Sequence, residues 1–326
     1  MLVLNAEQIA RLLPMTECIE LMSDALAALA RGEVYQPLRT IVRPPDAHGL
    51  LGLMPAYRRG EGGAFGLKAI CVFPGNPAIG KDAHQGTVML FSRETGEPLA
   101  LMNASQITAI RTAAVSAVAT QLLAREDAEQ LGMVGAGVQA RTHLVALSCV
   151  RSIKRARVAC RTREHALQLV DEMQDKVSFP IEPVSSNEAA VRDADVIVTA
   201  TSANEPVLKR EWISDGAHIN AIGTHSPQSR EIDSATMAAA RIFVDRRESA
   251  LNEAGDYLLA AREGAVTPES IIAELGELVI ESKQGRISPK EITLFKSLGL
   301  AIEDVACAEY LYRKAQAEEA GSWVSF

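Results

Sequence analysis

Three small residues, Gly135, Gly137 and Ala140, lie in the stretch "LGMVGAGVQARTHLVAL" with the spacing G-x-G-x-x-A. The apolar run before them predicts a strand, and the run after them predicts a helix. A dinucleotide-binding turn needs that context. Gly135 allows the tight turn. Gly137 lets a pyrophosphate approach the backbone, where the helix N-terminus offers N–H groups without intrahelical partners. Ala140 permits close packing of helix on strand. The contacts expected from this turn are Gly135, Ala136, Gly137, Val138 and Gln139. A glycine turn that serves packing alone is the competing reading.

The end of the next strand, "VACRTREHA", bears on which dinucleotide is held. An NAD site usually places an acid there to bind the ribose 2′-hydroxyl. Here Cys160 takes that place, followed by Arg161, Thr162 and Arg163. Two guanidiniums and a hydroxyl suit a 2′-phosphate. The residues favour NADP(H), with NAD possible, and a solvated basic loop is the alternative.

Elements must exist to carry these groups. "TECIELMSDALAALARGE" predicts a helix capped at Thr16 and stopped at Gly32. "GLLGLMPAYRR", "GAFGLKAICVF" and "GTVMLFSRETGEPLALMN" predict antiparallel strands, the last a hairpin turning at "RETGEP". "ASQITAIRTAAVSAVATQLLA" predicts a helix whose small residues allow close packing. From "QLGMVGA" onward, strands and helices alternate. "ARVAC", "DVIVTAT", "AHINAIG" and "RIFVD" are apolar enough for a parallel sheet covered on both faces. "NEAAVRDA" and "SATMAAA" read as short connecting helices. The end of the chain reads as a turn, a long helix and a short tail, "EEAGSWVSF".

The bulk composition narrows the function. The chain has 326 residues, enough for two domains, and its formal net charge is −8. An acidic surface disfavours nucleic acid or an anionic membrane as partner. No apolar run is long enough to span a bilayer. The start of the chain, "MLVLNAEQIARLLPM", shows no secretory pattern, so a cytoplasmic protein is expected. The five cysteines form no C-x-x-C pair and are expected as buried free thiols; no histidine spacing predicts a metal site.

The stretches "QPLRTIV", "LGLMPAY", "LKAICVFPGN", "HQGTVMLF", "ITAIRTAAVSAVAT", "GMVGAGVQA", "GAHINAIG" and "FKSLGLAIED" follow one another in the order found in the ornithine cyclodeaminase/mu-crystallin family. The chain resembles that family nearly end to end, and most of all its mu-crystallin branch of NADPH-dependent ketimine reductases. The resemblance implies a Rossmann doubly wound parallel sheet over 119–299. It implies also an α+β substrate-binding and dimerisation domain from 1–118 and 300–326, completed by the C-terminal helix, in a homodimer. It implies small imino or amino acid substrates, their carboxylate held by Arg39, Lys68 and Arg111. It adds Thr201, Ala221, Ile222, Gly223 and Ser297 to the cofactor contacts.

Those basic residues suit the chemistry. A guanidinium fork fixes a carboxylate's orientation. A lysine desolvated beside other cations has a lowered pKa and can exchange a proton near neutrality. Without the resemblance, Lys68 could be an edge-strand lysine, Arg111 a surface arginine and Arg39 a loop residue. His84 could touch a ligand or serve as a structural hydrogen-bonding group. One departure matters. Cyclodeaminases and alanine dehydrogenases of the family carry an aspartate where "NAIGTHSPQSREID" has His225. A histidine can relay a proton but supplies no permanent negative charge to an ammonium. The expected activity is therefore NADPH-dependent reduction of a cyclic ketimine acid such as Δ1-pyrroline-2-carboxylate or Δ1-piperideine-2-carboxylate. Lys68, Arg111 and His225 are the expected catalytic residues, His225 as a proton donor or a pocket wall. Cyclodeamination, amino-acid dehydrogenation and cofactor-dependent small-molecule binding without catalysis are the rivals.

Overall fold

The computed structural model describes residues 1–60 and 62–325. The chain divides into two compact units, one of residues 1–111 with 299–326, the other of 112–298. The first unit opens with β1 (Leu2–Leu4), α1 (Ala6–Leu12), α2 (Met15–Ala30), β2 (Val34–Tyr35), β3 (Thr40–Val42), β4 (Leu50–Arg58), β5 (Ala64–Val72), β6 (His84–Ser92) and β7 (Pro98–Asn103). Helix α3 (Ala104–Leu123) carries the chain out of it; the expected domain boundary at 118/119 falls in this same helix. The second unit runs β8 (Gln130–Val134), α4 (Val138–Ser148), β9 (Arg155–Ala159), α5 (Arg163–Met173), β10 (Ile181–Pro183), α6 (Asn187–Val191), β11 (Val196–Thr199), β12 (His218–Ala221), α7 (Ser234–Ala239) and β13 (Arg241–Val244). It ends with α8 (Arg247–Glu253), α9 (Gly255–Arg262), β14 (Ile271–Glu274), α10 (Leu275–Val279) and β15 (Thr293–Lys296). The chain then returns to the first unit with α11 (Ala301–Ala317) and β16 (Ser322–Trp323).

The first unit is an α+β fold. Its strands lie in the order β16-β1-β7-β6-β5-β4-β2, with β3 also paired to β4. Strands β4 to β7 form the expected antiparallel meander. Alternate residues of it, among them Met54, Ile70, Val88, Leu90 and Met102, are buried. Helix α11 packs on this face, so closely that a Cβ on Gly66 would come within 2.3 Å of Val305. The other set of alternate residues is half-buried. Pro55, Leu67, Met89 and Leu101 form one continuous cross-strand row there.

The second unit is a doubly wound parallel sheet, in the order β10-β9-β8-β11-β12-β15-β13-β14. Strands β8, β9 and β10 build outward on one side and β11 and β12 on the other, so the order reverses between β8 and β11; β15 then inserts between β12 and β13. Side chains alternate across the sheet into two separate cores. Leu131, Met133, Val196 and Val198 feed one; Val134, Ile197, Ile219 and Leu294 feed the other. Among the described residues no helix is long and apolar enough to cross a membrane.

Four local expectations need correction. Helix α2 is capped at Pro14 rather than Thr16: proline's fixed φ, here −60°, enters the helix directly, and the Cys18 N–H donates to the Pro14 carbonyl at 3.0 Å. The stretch "TLFK" is not a turn but β15, a fully buried strand between β12 and β13. The tail pairs through β16 with β1, closing the sheet edge; its last residue, Phe326, lies outside the described residues. Of the five free thiols only Cys18 and Cys307 are buried, and Cys149 is exposed.

Candidate functional site

Within the first unit, the predicted basic residues converge on the segment that starts α11. Lys68 stands in the middle of β5, between β4 and β6, and is 2% exposed. The edge-strand reading is thereby overturned. Its Nζ donates to Thr108 Oγ1 at 2.7 Å and to the Asp304 carboxylate at 3.0 and 3.3 Å. Arg111 is 4% exposed, not a surface residue. Its Nη1 donates to Glu303 Oε2 at 2.6 Å and its Nε to Asp304 Oδ1 at 3.4 Å. Arg39, half-buried, donates from Nη2 to the Gly299 carbonyl at 3.0 Å. Gly299 has φ +76°, and a Cβ there would sit 2.6 Å from the Arg111 guanidinium. Glycine is required on both counts.

Two acids that the local sequence pattern does not single out complete this group. Glu303 and Asp304 are fully buried in the first turn of α11, where the helix dipole favours negative charge. Their signal was an adjacent acid pair inside the apolar run "LGLAIEDVACA". Three cations (Arg39, Lys68, Arg111) face two carboxylates, leaving one positive charge in this group. Burial lowers the Lys68 pKa to about 8; Asp304 opposes the shift and Arg111 adds to it. His84 stands at the exposed start of β6. Partial desolvation of its ring, and then the charge of Lys68, push its pKa below the ordinary histidine value.

In the second unit the glycine turn joins β8 to α4. Gly135 has φ +117°, and its N–H donates to the Ala159 carbonyl at 2.8 Å. Gly137 is the N-cap of α4, which has no side-chain cap and no acid in its first turn. A Cβ on Gly137 would meet nothing within 4 Å. An uncapped helix N-terminus with open space beside it fits a pyrophosphate. Ala136 and Gln139 are partly and Val138 largely exposed, and Ala140 is fully buried. Arg141, which the sequence reading passed over, braces the turn. It donates to the Ala136 carbonyl at 2.6 Å and pairs with Glu172 at 2.5 Å.

At the end of β9, Cys160 donates its S–H to the Thr162 carbonyl at 2.9 Å. Arg161 and Arg163 are exposed beside it, and Thr162 is the N-cap of α5. Thr201, after β11, donates from its N–H and its hydroxyl to Glu231 Oε1, both at 2.7 Å. Ala221 and Ile222 are buried where β12 ends, and the Gly223 N–H donates to Glu231 Oε2 at 2.7 Å. The Ser297 N–H donates to the Ala221 carbonyl at 3.1 Å. His225 is exposed on the loop that follows. The predicted contacts thus lie at the C-terminal ends of β8, β9, β11, β12 and β15, the edge where doubly wound sheets hold their ligands. Among the described residues no group of His, Cys, Asp and Glu could hold a metal ion.

Comparison with known proteins identifies the family of the chain. The model of the ornithine cyclodeaminase/mu-crystallin family matches residues 1–319. A Δ1-pyrroline-2-carboxylate reductase of Bacillus cereus is 38% identical, over 100% of both chains. The ketimine reductase mu-crystallin of Mus musculus is 40% identical, over 89% of this chain and 90% of its own. The solved structure of Thermococcus litoralis Δ1-pyrroline-2-carboxylate reductase, in complex with NADH and L-proline, has a TM-score of 0.97 at 40% identity. It covers 99% of this chain and 100% of its own. The chain belongs to the ornithine cyclodeaminase/mu-crystallin family.

Proposed function

We propose that the protein is an NADPH-dependent reductase of small cyclic ketimine acids, of the Δ1-pyrroline-2-carboxylate and Δ1-piperideine-2-carboxylate type. The observation that carries this reading is the cationic group of Arg39, Lys68 and Arg111, which keeps one positive charge over its two buried carboxylates. That balance suits one substrate carboxylate. When bound, the nicotinamide supplies a hydride to the imine carbon, and the C=N π pair moves to nitrogen, which takes a proton. Arg39 and Arg111 orient the carboxylate. Lys68, buried between Thr108 and Asp304, holds a proton that it can release near neutrality. His225, exposed on its loop, is a second proton donor. His225 stands where the family's cyclodeaminases carry an aspartate, and this weighs against ornithine cyclodeamination.

The preference for NADPH rests on Arg161 and Arg163, exposed beside Cys160 where an acid would serve NAD. A homodimer is supported by the half-buried apolar row Pro55–Leu67–Met89–Leu101 and by the exposed Phe65 on the same sheet face. The test is loss of nicotinamide absorbance with each cyclic imine, using NADPH and NADH in parallel. NADPH should give about tenfold or more the kcat/KM of NADH, and Arg161→Ala with Arg163→Ala should narrow the gap. No turnover of either imine sinks the reductase reading. Equal use of both cofactors sinks the preference. A monomer mass in sedimentation equilibrium sinks the dimer.

The lysine makes a pH prediction. Its charged form prevails below about pH 8 and is lost as pH rises through that value. Because kcat/KM reports the free enzyme, it should fall on the alkaline side with an apparent pKa of about 8. A profile flat to pH 10 would remove Lys68 from the binding and proton-transfer roles.

A further inference from the structure

Under the loop that follows β12 lies a buried polar network that the mechanism above does not use. Glu231 is fully buried, and four donors surround its carboxylate. They are the Thr201 N–H and hydroxyl at 2.7 Å each, the Gly223 N–H at 2.7 Å and the Thr199 hydroxyl at 2.9 Å. All four donate, so the group that satisfies them is an acceptor on both oxygens, a carboxylate. The contact is close: a Cβ on Gly223 would lie 2.5 Å from Glu231 Oε1.

A second carboxylate fixes the first. Asp256, fully buried in the first turn of α9, accepts the Glu231 and Ile232 N–H groups at 2.7 and 2.9 Å through Oδ1. Its Oδ2 accepts the Thr224 hydroxyl at 2.7 Å and pairs with Lys296 at 2.9 Å. Lys296, 1% exposed at the end of β15, also donates to the Thr224 carbonyl at 2.8 Å. Gly255 brings α9 this close, since a Cβ there would fall 2.0 Å from the Ser229 carbonyl. Two acids and one lysine thus tie together the ends of β11, β12 and β15.

We infer that Glu231, Asp256 and Lys296 form a positioning clamp that fixes the 221–225 loop for the nicotinamide half of the cofactor, while leaving the adenosine half to the turn at 135–139 and to residues 160–163. This rests on the cofactor assignment made above. The clamp touches only loop backbone and hydroxyls, so its members are positioning residues. Its loss should affect hydride transfer and nicotinamide contacts more than adenosine binding.

Glu231→Gln is the direct test, because it replaces one acceptor oxygen by a donor amide facing other donors. Thr199→Val is a milder, isosteric companion that removes a single donor. Three quantities are to be measured on each purified protein: kcat with a cyclic imine, the Kd of NADPH, and the Kd of adenosine 2′,5′-bisphosphate as a probe of the adenosine half alone. Melting temperature serves as the control. The clamp predicts a kcat lowered by about tenfold or more in Glu231→Gln and about threefold in Thr199→Val. The bisphosphate Kd should stay within about twofold in both. Bisphosphate and NADPH affinities that fall together overturn the clamp, as does an unchanged kcat in folded Glu231→Gln. If Glu231→Gln does not fold, an unchanged kcat in Thr199→Val overturns it. If wild-type protein binds NADPH but reduces no imine, the reductase reading fails separately. The ratio of NADPH to bisphosphate affinity in the variants then decides the clamp by itself.

Discussion

Replacing Arg111 with alanine is expected to lower kcat/KM for a cyclic imino acid by about a thousandfold, roughly 4 kcal/mol of transition-state binding. The loss has two parts. The cationic group falls from a net charge of one to zero, so a substrate carboxylate no longer finds an unbalanced partner. The planar fork that would fix its orientation also goes, and orientation governs whether the imine carbon meets the hydride. Folding suffers too. Glu303 and Asp304 are both fully buried, and removing the guanidinium beside them costs about 3–5 kcal/mol, because a buried charge is left with less compensation. A lower melting temperature and a smaller folded fraction should therefore accompany the loss of activity. Arg111→Lys separates the two effects. It keeps the charge and should retain most of the stability, yet it lacks the fork and should still lose about tenfold or more in kcat/KM. The carboxylate-anchoring role is wrong if folded Arg111→Ala, titrated by its NADPH binding, keeps kcat/KM within about threefold of wild type.

How much of this was legible beforehand depends on the kind of signal. The dinucleotide turn, the alternating second unit and the antiparallel meander were readable because each rests on local periodicity and on glycines at fixed offsets. Lys68 and Arg111 were readable as candidates, but their environment was not. Nothing local says that the middle of "AFGLKAICVF" and the first turn of a helix more than two hundred residues later meet at 3.0 Å. Glu303, Asp304, Glu231 and Asp256 were passed over for the same reason. An acid looks like surface until its partner's position is known, and here the partners come from other elements. Lys296 hid differently: the four residues "TLFK" are too short to show a strand period, so the lysine within them read as part of a turn. The start of α2 is ambiguous in the sequence because a threonine, a residue type that often caps helices, stands two residues after a proline whose backbone is already set.

Gly135→Ala should weaken NADPH binding by about a hundredfold or more, and it should do so together with a loss of stability. The residue sits at φ +117°, where a side chain is strained whatever space it has. There is also no space. The new Cβ would stand 2.4 Å from the Ala200 carbonyl oxygen and 2.9 Å from its carbon, backbone atoms that cannot turn aside. The Ala200 N–H donates to the Val134 carbonyl at 2.8 Å, so the clash falls where β8 and β11 are tied together. Either the turn shifts or the two strand ends part, and both move the N-terminus of α4. Several degrees of melting temperature should be lost, since about 1 kcal/mol corresponds to roughly 2–4 °C for a folding unit the size of residues 112–298. Gly137→Ala is the informative partner. Its φ is −85°, and its Cβ would meet nothing within 4 Å, so the melting temperature should stay within a degree or so of wild type. Yet the added methyl would stand in the space assigned to the pyrophosphate, and NADPH affinity should fall by about tenfold or more. Fluorescence titration with NADPH and a thermal melt on each variant distinguish the two effects. Wild-type NADPH affinity in Gly137→Ala would mean that the phosphates do not lie against this turn, and the cofactor would have to be placed elsewhere on the sheet.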